Sequence, residues 1–481
     1  MVDYKKPSFD FSAPLDYVKR MEPNESVLPG YRSEFMRDRD RVMYCSSFRR
    51  LAGKTQVYLA GKDDHKRNRL THTLEVSQIS RTISHALGLD CDLTEAIALG
   101  HDLGHTPFGH AGEQVLHEIM VPNSKIKIES SPLASLDFSE SPERLEPILG
   151  FKHNVQSLRI AAYIEDNYGV HGLNLTNYTL WGILHHSGIE YKEGRVNTNI
   201  RYPNYLDQYN NCLCMKGSQD KQAWSFEAFV VREADEIAQW HHDLEDAIRG
   251  GAMDSKEVCN TIKRNLKEIM NLEDLARLEK LADRKRFNRR SVADLSRIVV
   301  NTLVNRLIDC SLYNLDLLWN NYVGDVSKKE DFFQQHDWNE PEISRAIKLE
   351  RIEGNNNILK TIEKNYPSVI SEKIHHSLDV ERMNAKGQYI IKKLFQAYYS
   401  HPQQLPDGII IRYMIDINEY VNLQSAEKAG VGAVRVKLDK LLSDKVRFDM
   451  KKKIILMRKI CDHIAGMTDH YAIEEYNNLY G

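Results

Sequence analysis

Four residues carry the pattern of a metal centre: His72, the adjacent pair His101 and Asp102, and Asp235. Imidazole nitrogens and carboxylate oxygens without thiolate suit one divalent ion such as Mn, Mg, Fe or Zn, and leave positions for water and substrate. His72 stands four residues before Val76 and seven before Ile79, so it continues the apolar stripe of a helix. His101 follows Leu93 and Ile97 at steps of four. Two histidines therefore point inward from consecutive helices. A lone buried histidine is more often a satisfied core residue than a ligand, and Asp102 shifts that balance. It falls where Gly104 and Pro107 stop the helix. A carboxylate at a helix C-terminus opposes the dipole at a cost of about 0.3–1 kcal/mol, and a cation there offsets both that cost and the desolvation. Without a cation, a bond to a backbone N–H or an arginine would do the same. Asp235 lies mid-helix in READEIAQWHHDLEDA, with Gln239, His242 and Asp243 on roughly its side.

A second cluster follows directly in HDLGHTPFGHAGE: His105, His110 and Glu113. Pro107 and Gly109 make a turn into a new helix, on which His110 and Glu113 are i, i+3 neighbours. A carboxylate that fixes a histidine tautomer is the arrangement general acid–base work requires. The competing account is helix capping by Glu113 with His110 incidental. Arg49, Arg50, Lys54 and Arg69 are cations that would suit an anionic ligand or stand as solvated surface charges, and Arg69 shares the helix of His72. Gly53-Lys54-Thr55 ends like a P-loop, but Phe48 stands where its first glycine belongs, which excludes that motif.

The elements that position these residues read as helices. Arg69 to Leu87, Ser225 to Arg249 and Ser291 to Leu317 each carry an apolar stripe of helical period. Strand-like alternation is rare, so the fold class is all-α, with room for one small hairpin. Residues 121–150 and 190–222 are polar and turn-rich and read as surface insertions. The expected organisation is an N-terminal segment (1–48), a helical metal-dependent core (49–250) and a helical C-terminal region packed on it (251–481). The 481 residues are 28% charged and 42% hydrophobic with a net charge of −3, which leaves no global basic field for nucleic acid. Seven scattered cysteines suggest a reducing, cytoplasmic setting rather than a disulfide framework. The C-x-C of Cys212 and Cys214 lacks the second pair that a zinc site needs. No apolar run is long enough for a membrane span.

These segments together resemble the HD-domain deoxynucleotide triphosphohydrolases, the dGTPase family. Its H…HD…D pattern falls on His72, His101, Asp102 and Asp235, and SSFRRLAGKTQV, RNRLTHTLEVSQI, FKHNVQSLR, ILHHSG and ICDHIAGMTDHYA stand in family order. The resemblance implies an HD-type core and cleavage of a dNTP at the α-phosphate to a deoxynucleoside and tripolyphosphate. It places Gln56 against the sugar, Asp243 at the 3′-hydroxyl, Arg69 near the phosphates, and His110 with Glu113 at the reacting centre. It also places His153 in the active site. It implies a dNTP substrate, a dNTP activator in some relatives, and a homo-oligomer. Two positions depart from it: Gln239 stands where several relatives carry a tyrosine, and Glu236 where some carry a lysine. Sugar and phosphate contacts are then arranged differently, and dGTP need not be the preferred base. The rivals are another HD-type phosphohydrolase (a nucleotidase or phosphodiesterase) and a nucleotide sensor or single-stranded nucleic-acid binder. The latter would use the basic runs 284–290 and 451–459.

Overall fold

The computed structural model describes residues 7, 9–23, 31–56, 67–121, 126, 128–129, 150–169, 171–187, 195–196, 200–201, 209–249, 253–284, 287–322, 329–352 and 377–481. The helices that build and support the site are α1 (Glu34–Tyr44), α2 (Arg69–Leu87), α3 (Cys91–Gly100), α4 (His110–Ile119), α5 (His153–Arg159), α6 (Asn177–His185), α7 (Phe226–Arg249), α8 (Arg289–Tyr322), α9 (Leu378–Ser400), α10 (Met450–Ala465) and α11 (Asp469–Tyr480). The mainly helical expectation holds. One short antiparallel pair, Arg195–Val196 with Ile200–Arg201, is the small hairpin.

Local chemistry fixes the ends of the key helices. The Asn68 side chain caps α2 by accepting from Thr71 N, and the Thr71 side chain returns the bond. Gly88 then stops the helix at φ 73°, a left-handed conformation that costs glycine no strain. The Asp90 side chain accepts from two backbone N–H groups at the start of α3. Along α2, Val76, Ile79 and Ile83 are buried on the stripe read from the sequence. The 24-residue α7 packs across α2 and α3 and buries Val230, Ala234, Ile237 and Leu244. The stripe expected over Ser291 to Leu317 is part of the longer α8.

Two apolar cores result. The first gathers α1, α2, α3, α5, α6, α7 and α8, and also Phe11 and Ala13 from the N-terminal segment. The second joins α4 to α9, α10 and α11. Helix α4 therefore turns Val115, Leu116 and Ile119 toward the second core. Most of 121–150 and 190–208 lies outside the described residues. The end of the second insertion differs from its expectation as polar surface. Cys212, Leu213, Cys214 and Met215 are buried there, because Asn177 Nδ2 holds the Cys214 carbonyl at 3.0 Å and draws the turn against α6. Among the described residues no helix is long and apolar enough to cross a membrane.

Candidate metal centre and active site

The four expected ligands converge. His72 Nε2 lies 2.9 Å from Asp235 Oδ1, and His101 Nε2 lies 3.8 Å from the same oxygen. Asp102 closes the group, with Oδ1 3.5 Å from His101 Nε2 and Oδ2 3.9 Å from His72 Nε2. Helix α2 supplies His72, α7 supplies Asp235, and the turn after α3 supplies the adjacent pair. His72 and His101 are almost fully buried. The Nε2 of His101 is buried with no hydrogen-bond partner, while its Nδ1 bonds the Ala98 carbonyl at 2.6 Å. An orphaned imidazole nitrogen facing two carboxylates fits a divalent cation, since a buried polar atom without a partner is costly. Burial works to raise the Asp102 carboxyl, but His101, His105 and the Arg69 guanidinium hold it well below its ordinary value.

The remaining candidates sort clearly. A cavity of about 230 Å³ beside the centre is lined by Gln56, Arg69, His105, His110, His153, Gln239 and Asp243 together with three of the ligands. Arg69 bonds Asp102 Oδ2 at 2.8 Å, so it neutralises a candidate ligand as well as facing the cavity. His105 Nε2 stands 3.1 Å from Asp102 Oδ1, and burial drives His105 well below its ordinary value, which keeps it neutral. Gln56 Oε1 and Asp243 Oδ1 are buried without partners, two acceptors turned toward the cavity wall. A larger cavity of about 480 Å³ lies elsewhere and contains none of the candidate residues.

Glu113 does not act as the expected partner of His110. Its Oε2 bonds His153 Nδ1 at 2.6 Å and its Oε1 bonds Lys152 Nζ at 2.6 Å, whereas His110 Nδ1 is 3.9 Å away. The reason is directional. His110 opens α4 at the mouth, two-thirds exposed, while the buried Glu113 faces the N-terminus of α5. His153 and Lys152 hold Glu113 well below its ordinary value against the opposing effect of burial. The His153 ring stacks on His105 with centroids 3.9 Å apart, and His153, Asp102 and His186 offer nitrogen or oxygen atoms within 4.8 Å of one another. His186 follows α6 and was not singled out from the sequence, although the ILHHSG block contains it.

The structure does not bring Arg49 to the site. It is exposed and donates to the Tyr44 carbonyl at 2.8 Å. Lys54 and Arg50 also turn away from it. Lys54 is fully buried and bonds the carbonyls of His105 and of Ala465, the latter at 2.8 Å, while Arg50 bonds the Gly466 carbonyl at 3.2 Å. Lys54 thereby ties the turn after α3 to the end of α10, and Arg50 ties its own segment to the same end. Asp469, at the start of α11, accepts from Phe108 N at 2.8 Å and from Thr55 Oγ1. Gly104 permits this turn to lie on α5, since a Cβ there would sit 2.1 Å from the His153 carbonyl. Gly109, at φ 59° and ψ −134°, supplies a conformation open to glycine immediately before His110.

Asp243 yields a test. Burial raises its carboxyl to about 7, and Asp246 adds to the effect. A raised carboxyl favours folding below its ordinary value and loses that contribution as pH rises through about 7. Asp243→Asn is therefore expected to stabilise the protein by up to about 4 kcal/mol at pH 8 and by almost nothing at pH 4. Thermal melts at the two pH values check this, and equal melting temperatures at pH 8 would refute it.

Residues 69–136 match the HD domain, and residues 433–478 match the Phosphohydrolase-associated domain. The chain is 32% identical over 95% of its length to a "Deoxyguanosinetriphosphate triphosphohydrolase-like protein" of Rickettsia rickettsii, covering 93% of that protein. It is also 32% identical to one of the same description from Bartonella henselae, with 93% of this chain and 90% of that protein covered. With the HD ligands gathered in one buried centre, and with relatives matched along nearly its whole length, this chain belongs to the HD-domain family of deoxyguanosinetriphosphate triphosphohydrolase-like proteins.

Proposed function

We propose that the chain hydrolyses deoxynucleoside triphosphates, dGTP among them, at the α-phosphate to a deoxynucleoside and tripolyphosphate. The observation that carries this reading is the opening of one cavity onto three of the candidate ligands, Gln56, Arg69, His153 and Asp243 together. His72, His101, Asp102 and Asp235 would hold one divalent ion, which supplies Lewis-acid polarisation of the phosphate when bound. Arg69 offsets phosphate charge. Gln56 Oε1 and Asp243 Oδ1 accept from the sugar hydroxyl and base donors that their vacant lone pairs require. The Glu113–His153 pair keeps the proton on His153 Nδ1 and leaves Nε2 basic, so His153 orients the attacking water. Burial lowers the His110 imidazole to about 4, so at the mouth it relays to the leaving 5′-oxygen the proton that the attacking water gives up. Gln239 is exposed on the cavity wall and packs no ring against the sugar, which supports use of several dNTPs.

The test is incubation with each dNTP singly and in mixtures, with Mn or Mg, followed by chromatography. Tripolyphosphate supports the reading, and orthophosphate or pyrophosphate overturns it in favour of another HD-type phosphohydrolase. Turnover confined to mixtures identifies an activating dNTP. Light scattering of the same samples tests the expected homo-oligomer. Chelation is expected to abolish turnover and to lower the melting temperature. A ligand at one hundred times its Kd contributes about 2.7 kcal/mol to stability. Re-addition of Mn should restore both, and an unchanged melt after complete chelation would count against a metal centre.

A further inference from the structure

Beside the metal centre, on α2 and α7, lies a second group of ionisable side chains: Glu75, His241 and His242. His242 Nε2 meets Glu75 Oε2, and His242 Nδ1 lies 3.3 Å from His72 Nδ1. His72 Nε2 faces Asp235. A continuous line thus runs from Glu75 through both imidazoles to the centre. Only one placement of protons suits it. A nitrogen that holds a cation is bare, so His72 carries its proton on Nδ1. That N–H donates to His242 Nδ1, which is therefore bare. The His242 proton then sits on Nε2 and is donated to the Glu75 carboxylate.

We propose that Glu75 and His242 are positioning residues that fix the Nδ1–H tautomer of His72 and so set the strength of the metal centre. This inference rests on the metal reading given above. His242 is 1% exposed, and its Nδ1, 3.3 Å away, is the acceptor that His72 Nδ1 meets. Arg67 anchors the other Glu75 oxygen at 3.3 Å and itself holds Glu245 at 2.5 Å. His241 Nε2 stands 3.6 Å from Glu75 Oε2, outside the line. The same three residues do not form a second metal site, because His242 has no nitrogen to spare. Its Nδ1 lone pair is taken by His72, and its Nε2 is protonated.

The experiment is Mn titration of the whole protein, followed by the resonance of free Mn, for the wild type and for His242→Phe, His242→Gln, Glu75→Gln and His101→Ala. His242→Phe is expected to weaken Mn binding about 10–100-fold, as loss of an outer-shell partner does. His242→Gln should recover most of it, because an amide oxygen accepts from His72 while the amide NH₂ donates to Glu75. Glu75→Gln should weaken binding by about tenfold or less, since it keeps an acceptor and loses the charge. Recovery by glutamine separates tautomer control from packing, because phenylalanine matches the imidazole shape better. If His242→Phe does not fold, Glu75→Leu provides the same reading from the more exposed end. Mn binding by His242→Phe or Glu75→Leu within twofold of wild type overturns the proposal. So does glutamine no better than phenylalanine, or a second Mn lost from every variant of the group. Absence of Mn binding in the wild type itself brings down the metal reading and this inference with it. Loss in His101→Ala alone, with the other variants unchanged, brings down only this inference.

Discussion

Asp102→Asn is expected to cut turnover at least about a thousandfold while the helical fold persists. At 1.4 kcal/mol per factor of ten, that asks about 4 kcal/mol of one carboxylate, within the several kcal/mol that metal-assisted charge stabilisation supplies. The geometry explains the size. Asp102 is the point where His101, His105, Arg69 and His72 meet, and its two oxygens serve different members of that set. An amide keeps the shape and removes the charge, so the centre is left with Asp235 as its one carboxylate. Asparagine is the informative choice. Arg69 is 3% exposed, and an alanine would leave its guanidinium buried without that partner, at roughly 3–5 kcal/mol. Steady-state kinetics with Mn saturation, beside circular-dichroism melts, separate chemistry from folding. A folded Asp102→Asn with turnover within tenfold of wild type would remove Asp102 from the centre.

Much of this site was legible because its elements are local. Helix α2 runs over the span expected, from Arg69 to Leu87, since a cap at Asn68, a stop at Gly88 and a clean apolar stripe all act within a few residues. The same periodicity turned His72 and His101 inward. What was not legible is long-range. Glu113 has an obvious neighbour at i−3, and nothing in the spacing shows that a histidine forty residues onward takes its oxygen instead. Lys54 reads as a phosphate contact beside Gly53, yet its ammonium is consumed by two backbone carbonyls. His186 and the Glu75–His242 line also depend on α2, α6 and α7 meeting, which a periodicity confined to one helix does not encode. The C-terminal region was expected to pack on the core. That it grips the turn carrying His105 and Phe108 emerges only from the assembled chain.

That grip leads to the largest stability effect. Asp462, on α10, takes a two-point bond from Arg159 at the end of α5, with Nε and Nη2 to its oxygens at 2.7–3.0 Å, and a third bond from Gln156 Nε2 at 3.0 Å. Both partners of the ion pair are buried. Such a pair adds little over a well-packed apolar contact, but removing one member leaves an uncompensated charge in a low dielectric. Asp462→Ala is therefore expected to lower the free energy of unfolding by about 3–5 kcal/mol. Arg159→Met with Asp462→Leu should recover most of that loss, because it removes both charges and refills the space. The acid limb follows the same pair. Burial opposes ionisation, yet Arg159 holds the Asp462 carboxyl below its ordinary value of 3.8. Its contribution is then complete above that pH and fades as acid protonates it, so the gap in stability between wild type and Asp462→Ala should narrow as pH falls below the carboxyl's ordinary value of 3.8. The consequence reaches the chemistry, since α5 carries His153 at its other end. Loosening α5 from α10 should reduce turnover in Asp462→Ala even at temperatures where it stays folded, and the double variant should restore it. Urea unfolding of the three proteins at neutral and acid pH decides the matter. A single variant as stable as wild type at neutral pH would mean that the buried pair contributes nothing to holding α5 against α10.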